Sequence, residues 1–98
     1  MKFGLDPKEF EILDQLLLQP LRNHGAKIWV FGSRARGDHK KYSDLDVLYQ
    51  AGNLPSGLMY DIKTNLEESK LPIKVDIVND SELAKSYRES VEKDRVEL

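Results

Sequence analysis

The 98-residue chain contains no cysteine, so neither a disulfide framework nor a thiolate metal site can hold it together. No apolar run reaches the length of a membrane span. The first ten residues lack the apolar stretch and small-residue cleavage site of a secretory signal, so a cytoplasmic location without membrane attachment is expected. A basic excess is missing too: 15 Lys and Arg stand against 17 Asp and Glu, a net charge of −2. Proteins that live on nucleic-acid backbone draw most of their affinity from such an excess, so duplex nucleic acid is not an expected partner. Basic side chains gather only at Arg34, Arg36, Lys40 and Lys41, a stretch suited to one small polyanion. The two histidines, His24 and His39, have no second histidine at ligand spacing and read as surface residues. Internal repeats, low-complexity segments and linkers are absent.

What remains is a chain with 40% hydrophobic and 33% charged residues, enough for one modest core under a polar surface. At this length, residues 1–98 form a single domain. Asp6-Pro7-Lys8-Glu9 reads as a helix start: Asp6 can cap, Pro7 tolerates the first turn, and Glu9 completes a capping-box spacing. Phe10, Leu13, Leu17 and Leu21 follow at helical spacing. Pro20 is expected to kink or end that helix, and Gly25 to close the segment in a left-handed conformation. Leu16, Leu17, Leu18 and Leu21 run almost all the way round it. That distribution fits either an interface, with a partner or a second copy, or plain core packing.

Lys27 to Phe31 is a β-branched and aromatic run stopped by Gly32, the first strand. Its Trp29 and Phe31 read as core. Gly32 to Lys41 is polar, a turn followed by a short helix or loop. Asp44 to Tyr49 is a second strand, Pro55 to Ser69 a helix with Leu58, Ile62 and Leu66 on one face, and Ile73 to Val78 a third strand. Asn79-Asp80-Ser81 offers caps for a last helix over Glu82 to Arg95, with a charged end prone to fray. The expected fold is therefore α/β or α+β, with a three-stranded sheet flanked by helices and strand directions left open.

Three strands deliver chemistry to their ends. Gly32 lets backbone approach a ligand, tight-turn amides suit phosphate, and the Ser33 hydroxyl can add a hydrogen bond. Asp44 and Asp46 lie two apart, so on a strand both carboxylates project from one face. Their repulsion is relieved by a cation, and oxygen-only ligation suits Mg²⁺, which retains waters and phosphate oxygens in its shell. Two such ions, roughly 4 Å apart, clamp the attacking and leaving oxygens of an in-line phosphoryl displacement. Asp76 sits within an apolar strand, where a lone carboxylate is costly unless paired or metal-bound. It is positioned to complete the metal site or to act as general base, against the plainer reading of an edge-strand aspartate facing water. Arg34 reads equally as a phosphate contact or as an exposed charge near a turn. Arg36 suits a structural bond to a loop carbonyl or to a carboxylate such as Asp38. Ser43 suits a brace for Asp44. Tyr42 and Tyr49 are open as nucleotide contacts, with nothing to select them.

The block from Val30 to Gln50 resembles the signature of the DNA polymerase beta-like nucleotidyltransferases: Gly-Ser, ten intervening residues, then Asp-x-Asp, with a third acid on a later strand. Gly32-Ser33, Asp44, Asp46 and Asp76 match it without a gap. Arg34, Ala35, Arg36, Gly37, Ser43 and Leu45 resemble the small prokaryotic branch, the minimal nucleotidyltransferases. The resemblance implies that Gly32 and Ser33 hold the β- and γ-phosphates of ATP or another NTP. It implies that Asp44 and Asp46 bind two Mg²⁺ ions, with Asp76 completing the site and activating the acceptor. The product would be a nucleoside monophosphate joined to a hydroxyl, with release of pyrophosphate. It further implies a helical HEPN-type partner in a toxin–antitoxin pair, the transferase serving as antitoxin by adenylylating a toxin tyrosine. Larger members carry a second domain for base or acceptor, for which this chain has no residues, so a partner protein is expected to supply that surface. Two alternatives stand beside this reading: a nucleotide-binding antitoxin module without chemistry, and an antibiotic-type small-molecule adenylyltransferase.

Overall fold

A computed structural model describes residues 2–98. Helix α1 (Pro7–Leu13) begins on the expected capping box. The Asp6 carboxylate accepts from the Glu9 amide at 2.8 Å, and Glu9 Oε1 accepts from the Asp6 amide at 2.9 Å. Pro20 does not end the helix. A π-helical turn (Asp14–Leu18) precedes it, with the Gln19 amide donating to the Asp14 carbonyl, and α2 (Gln19–Arg22) continues with Pro20 in its first turn. In a regular α-helix the proline would lack an amide for the Leu16 carbonyl and its ring would press on that group. Widening the preceding turn removes the conflict. The same extra residue turns adjacent Leu17 and Leu18 both inward. Leu13, Leu17, Leu18 and Leu21 are all 0–1% exposed, so the leucines serve the core rather than an interface. Gly25, at φ 76°, closes the segment as expected.

Strand β1 (Lys27–Phe31) leads through α3 (Ser33–Arg36) and a loop into β2 (Leu45–Gln50). Helix α4 (Leu58–Glu67) crosses to β3 (Val75–Asn79), and a 3-10 turn (Asp80–Glu82) leads into α5 (Lys85–Asp94). The sheet has four strands, in the order β3-β2-β1-β4, which corrects the expected three. The fourth is β4 (Val96–Glu97), which lies just past the Arg95 end expected for the last helix. It pairs antiparallel with β1, setting Val96 opposite Val30, and the Leu98 amide donates to the Ile28 carbonyl at 2.9 Å. Helix α5 ends at Asp94 because Arg95 turns extended, and the Arg95 guanidinium lies 4.6 Å from the Trp29 ring centroid. β1 and β2 are antiparallel, whereas β2 and β3 are parallel, as the helical crossover through α4 requires.

The alternation of strand side chains divides the core into two layers. Ile28, Val30, Leu45, Val47 and Tyr49 pack with the leucines of the first helical segment and with Ile62 and Leu66 of α4. On the opposite face Trp29 and Leu48 pack against Val91 of α5, with Phe31, Val78 and Leu83 at the margin. Trp29 is therefore core, as expected, and Tyr49, 7% exposed, belongs to the other core layer rather than to a ligand site. Among the described residues no helix is long and apolar enough to cross a membrane.

Candidate active site

The α5 face of the sheet is also the face that carries the acids. Asp46 alternates with Val47 on β2, so it points to the side where Leu48 packs; Asp76 on β3 shares a side with Val78. Asp46 and Asp76 are register partners across the parallel pair, and Asp46 is also the register partner of Phe31, the residue before Gly32. One half-buried aspartate thus sits between the third acid and the glycine turn. Asp44 lies exposed just ahead of β2, where the Leu45 amide donates to the Lys74 carbonyl at 2.9 Å and anchors the entry to the strand.

Burial and the negative charges of Asp76 and Asp44 raise the Asp46 carboxyl above its usual range, in that order of importance, with Arg36 pulling weakly the other way. Asp46 is thus the acid that feels the charges of the other two. Among the described residues no three acidic or histidine side chains stand close enough to form a ready-made ion cage. Mg²⁺ does not require one, because it binds through one or two carboxylates and fills its shell with water and substrate phosphate. The all-oxygen donor set and the repulsion at Asp46 fit that ion. Asp76 has a nearby cation already: the exposed Lys74 ammonium lies 3.3 Å from its Oδ1. Lys74, two residues before Asp76, was not singled out in the sequence, although the i, i+2 spacing on a strand places both on one side.

Gly32 adopts φ 77° and ψ −157°, a region essentially reserved for glycine. A Cβ there would also collide with the Asp46 carboxylate. The turn thus brings backbone directly against the central acid. Ser33 opens α3, whose first-turn amides have no acceptor within the helix, and the Ser33 carbonyl accepts from the amides of Gly37 and Asp38 at 2.9 and 3.1 Å.

Arg34, a candidate phosphate contact, turns its guanidinium into the protein. It is 3% exposed, and its guanidinium donates to three carbonyls: Phe3 at 2.8 Å, Ser43 at 2.9 Å and Lys41 at 3.2 Å. It ties the start of the β1–β2 connection to its far end, fixing Asp44 relative to Ser33. Ser43 braces the same loop, its Oγ accepting from the Lys40 amide at 2.9 Å. Arg36 behaves as expected, with Nε 3.1 Å from Asp38 and Nη1 3.1 Å from Asp94. Those two hydrogen bonds, Asp38 first, make its guanidinium more basic than usual. It is Arg36, then, that brings positive charge to Asp46. His39, expected at the surface, is half-buried, with an unpartnered Nδ1.

Residues 11–98 match the model of the nucleotidyltransferase domain family. The chain is 33% identical over 93 residues to the probable protein adenylyltransferase MntA of Haemophilus influenzae, spanning 94% of this chain and 80% of that protein. A structure described as a minimal nucleotidyltransferase superposes with a TM-score of 0.71 at 32% identity, covering 96% of this chain and 97% of its own. A toxin–antitoxin crystal structure with AMP-PNP shares the fold, with a TM-score of 0.66 at 22% identity, over 86% of this chain and 70% of that one. The chain belongs to the nucleotidyltransferase family, on its minimal, MntA-like branch, and is a nucleotidyltransferase.

Proposed function

We propose that this nucleotidyltransferase moves AMP from Mg²⁺-ATP to a hydroxyl of a protein partner, as the antitoxin of a HEPN-type toxin–antitoxin pair. The observation that carries the reading is the register pairing of Asp46 with Asp76 beside the Gly32 turn, with Asp44 two residues before Asp46. The probable protein adenylyltransferase among its relatives supports a protein acceptor, and the toxin–antitoxin neighbour supports the setting.

In this reading the Gly32 turn and the Ser33 hydroxyl hold the β- and γ-phosphates, Gly32 because its backbone disfavours a side chain and a Cβ would press on Asp46. Asp44, Asp46 and Asp76 would hold Mg²⁺, which when bound neutralises charge on the phosphate oxygens. Asp76, at the edge of the carboxylate set, takes the proton of the acceptor hydroxyl. The freed oxygen forms a bond to the α-phosphorus while the bond to the bridging β-oxygen breaks, and pyrophosphate leaves with the electron pair. Arg34 holds the connection between the two halves of the site and touches no substrate. The protein would act in the cytoplasm, where ATP is available.

The test is labelling of host lysate with ATP carrying ³²P at either the α- or the γ-position, with Mg²⁺. A discrete protein band labelled from the α-position alone, carrying the added mass of AMP on a hydroxyl side chain, is the expected result. A band labelled from the γ-position would contradict nucleotidyl transfer. Neutralisation of the partner toxin by an Asp44→Asn/Asp46→Asn double variant would favour an antitoxin that acts by contact alone.

A further inference from the structure

A cavity of about 180 Å³ opens beside the glycine turn, on the face of the sheet that carries the acids. Phe31, Gly32 and Arg36 line one side, and Tyr87, Ser90 and Asp94 of α5 line the other, with Val91 between them. The α5 residues follow one another at helical spacings of three and four, so they form a single stripe facing the turn. Half of that stripe is already committed. Val91 is buried in the core against Trp29 and Leu48, and Asp94 is paired with Arg36. Tyr87 and Ser90 are exposed, and Tyr87, at 65%, sets a large ring at the mouth of the cavity. Helix α5 is thus fixed at its C-terminal end by an ion pair and at its middle by packing, while its first turn offers an uncovered aromatic face next to the phosphate-binding turn.

We propose that Tyr87 forms the stacking wall of a nucleoside subsite, with the Ser90 hydroxyl directed at the sugar. This deepens the nucleotide reading of the same site and rests on it. The ligand class is a nucleoside triphosphate, its phosphates on the Gly32–Ser33 turn and its base on the Tyr87 ring. An exposed ring gains from a planar apolar partner, and stacking of this kind tolerates any base. The wall therefore sets affinity for the nucleoside, not preference among bases. Because Tyr87 lies outside both core layers, its removal is not a folding defect in disguise.

The experiment measures binding of Mg²⁺-ATP and of Mg²⁺-tripolyphosphate to the wild-type chain and to Tyr87→Ala and Tyr87→Phe by calorimetry. Tyr87→Ala is expected to weaken ATP about tenfold, with tripolyphosphate unchanged and Tm preserved. Tyr87→Phe, which keeps the ring, is expected to bind ATP like the wild type. Wild-type ATP affinity in Tyr87→Ala overturns the proposal, as does an equal loss of both ligands. A wild-type chain that binds neither ligand contradicts the underlying nucleotide reading, a result distinct from both.

Discussion

Asp46 on β2 and Asp76 on β3 face each other as register partners in the parallel pair that forms one half of the sheet. Two carboxylates placed that way, both half-buried, oppose folding unless something relieves them. Burial and the charges of Asp76 and Asp44 hold the Asp46 carboxyl above its usual range. The native state therefore keeps the Asp46 proton more tightly than the unfolded chain. Stability falls as pH rises from the ordinary carboxylate range through the raised native value, since the native state binds more protons there. In EDTA, Asp46→Asn is expected to melt above the wild type at pH 7, and the difference is expected to vanish below the ordinary carboxylate range. Thermal unfolding across pH checks this. A variant less stable than the wild type at neutral pH would contradict the repulsion.

The same repulsion predicts a metal response. Added Mg²⁺ is expected to raise the Tm of the wild type, because a ligand that binds only the folded state stabilises it by mass action. Asp46→Asn is expected to lose most of that response. Calorimetric titration of both proteins with Mg²⁺, with and without ATP, separates the metal's own binding from that of its nucleotide complex.

Gly32→Ala combines two faults, a side chain in a glycine-only backbone region and a Cβ pressed into the Asp46 carboxylate. The backbone fault costs about 1–3 kcal/mol. Displacing Asp46 by even an ångström is expected to lower transfer about a hundredfold. Urea unfolding and a turnover assay on the folded variant read the two losses separately.

Arg34→Ala leaves the carbonyls of Phe3, Lys41 and Ser43 without their buried donor. A loss of about 3 kcal/mol is expected, since hydrogen bonds from a charged donor each contribute about 1.5–3 kcal/mol and water can reach part of the gap. The midpoint of urea unfolding measures it. A variant as stable as the wild type would return Arg34 to the role of a free phosphate contact.

The candidate set could be picked out because its spacing is local: Gly32-Ser33 ends one strand and Asp44-x-Asp46 begins the next. Its third member was legible because an aspartate amid Ile73, Val75, Ile77 and Val78 needs a reason to be there. The register of Asp46 against Asp76 was not, since strand pairing is decided by the crossover through α4 and not by either strand alone. Arg34 could not be assigned for a related cause. Its three acceptors lie 7, 9 and 31 residues away, and the last belongs to a turn near the N-terminus. For the first helix, a kink or an end at Pro20 were both open, and only the wider turn at Asp14–Leu18 shows how the helix passes it. β4 was missed because two paired residues carry no periodicity to read. Tyr87 entered no sequence argument, since only the packing of α5 on Trp29 and Leu48 brings it to Gly32.

The most direct test of the account is transfer of label from α-³²P-ATP to protein by the wild-type chain, Asp46→Asn and Asp76→Asn, with Mg²⁺ or with EDTA. The expected result is Mg²⁺-dependent label with the wild type and a loss of at least about a hundredfold in each variant, both remaining folded. Undiminished label in both variants, or label that persists in EDTA, would contradict it.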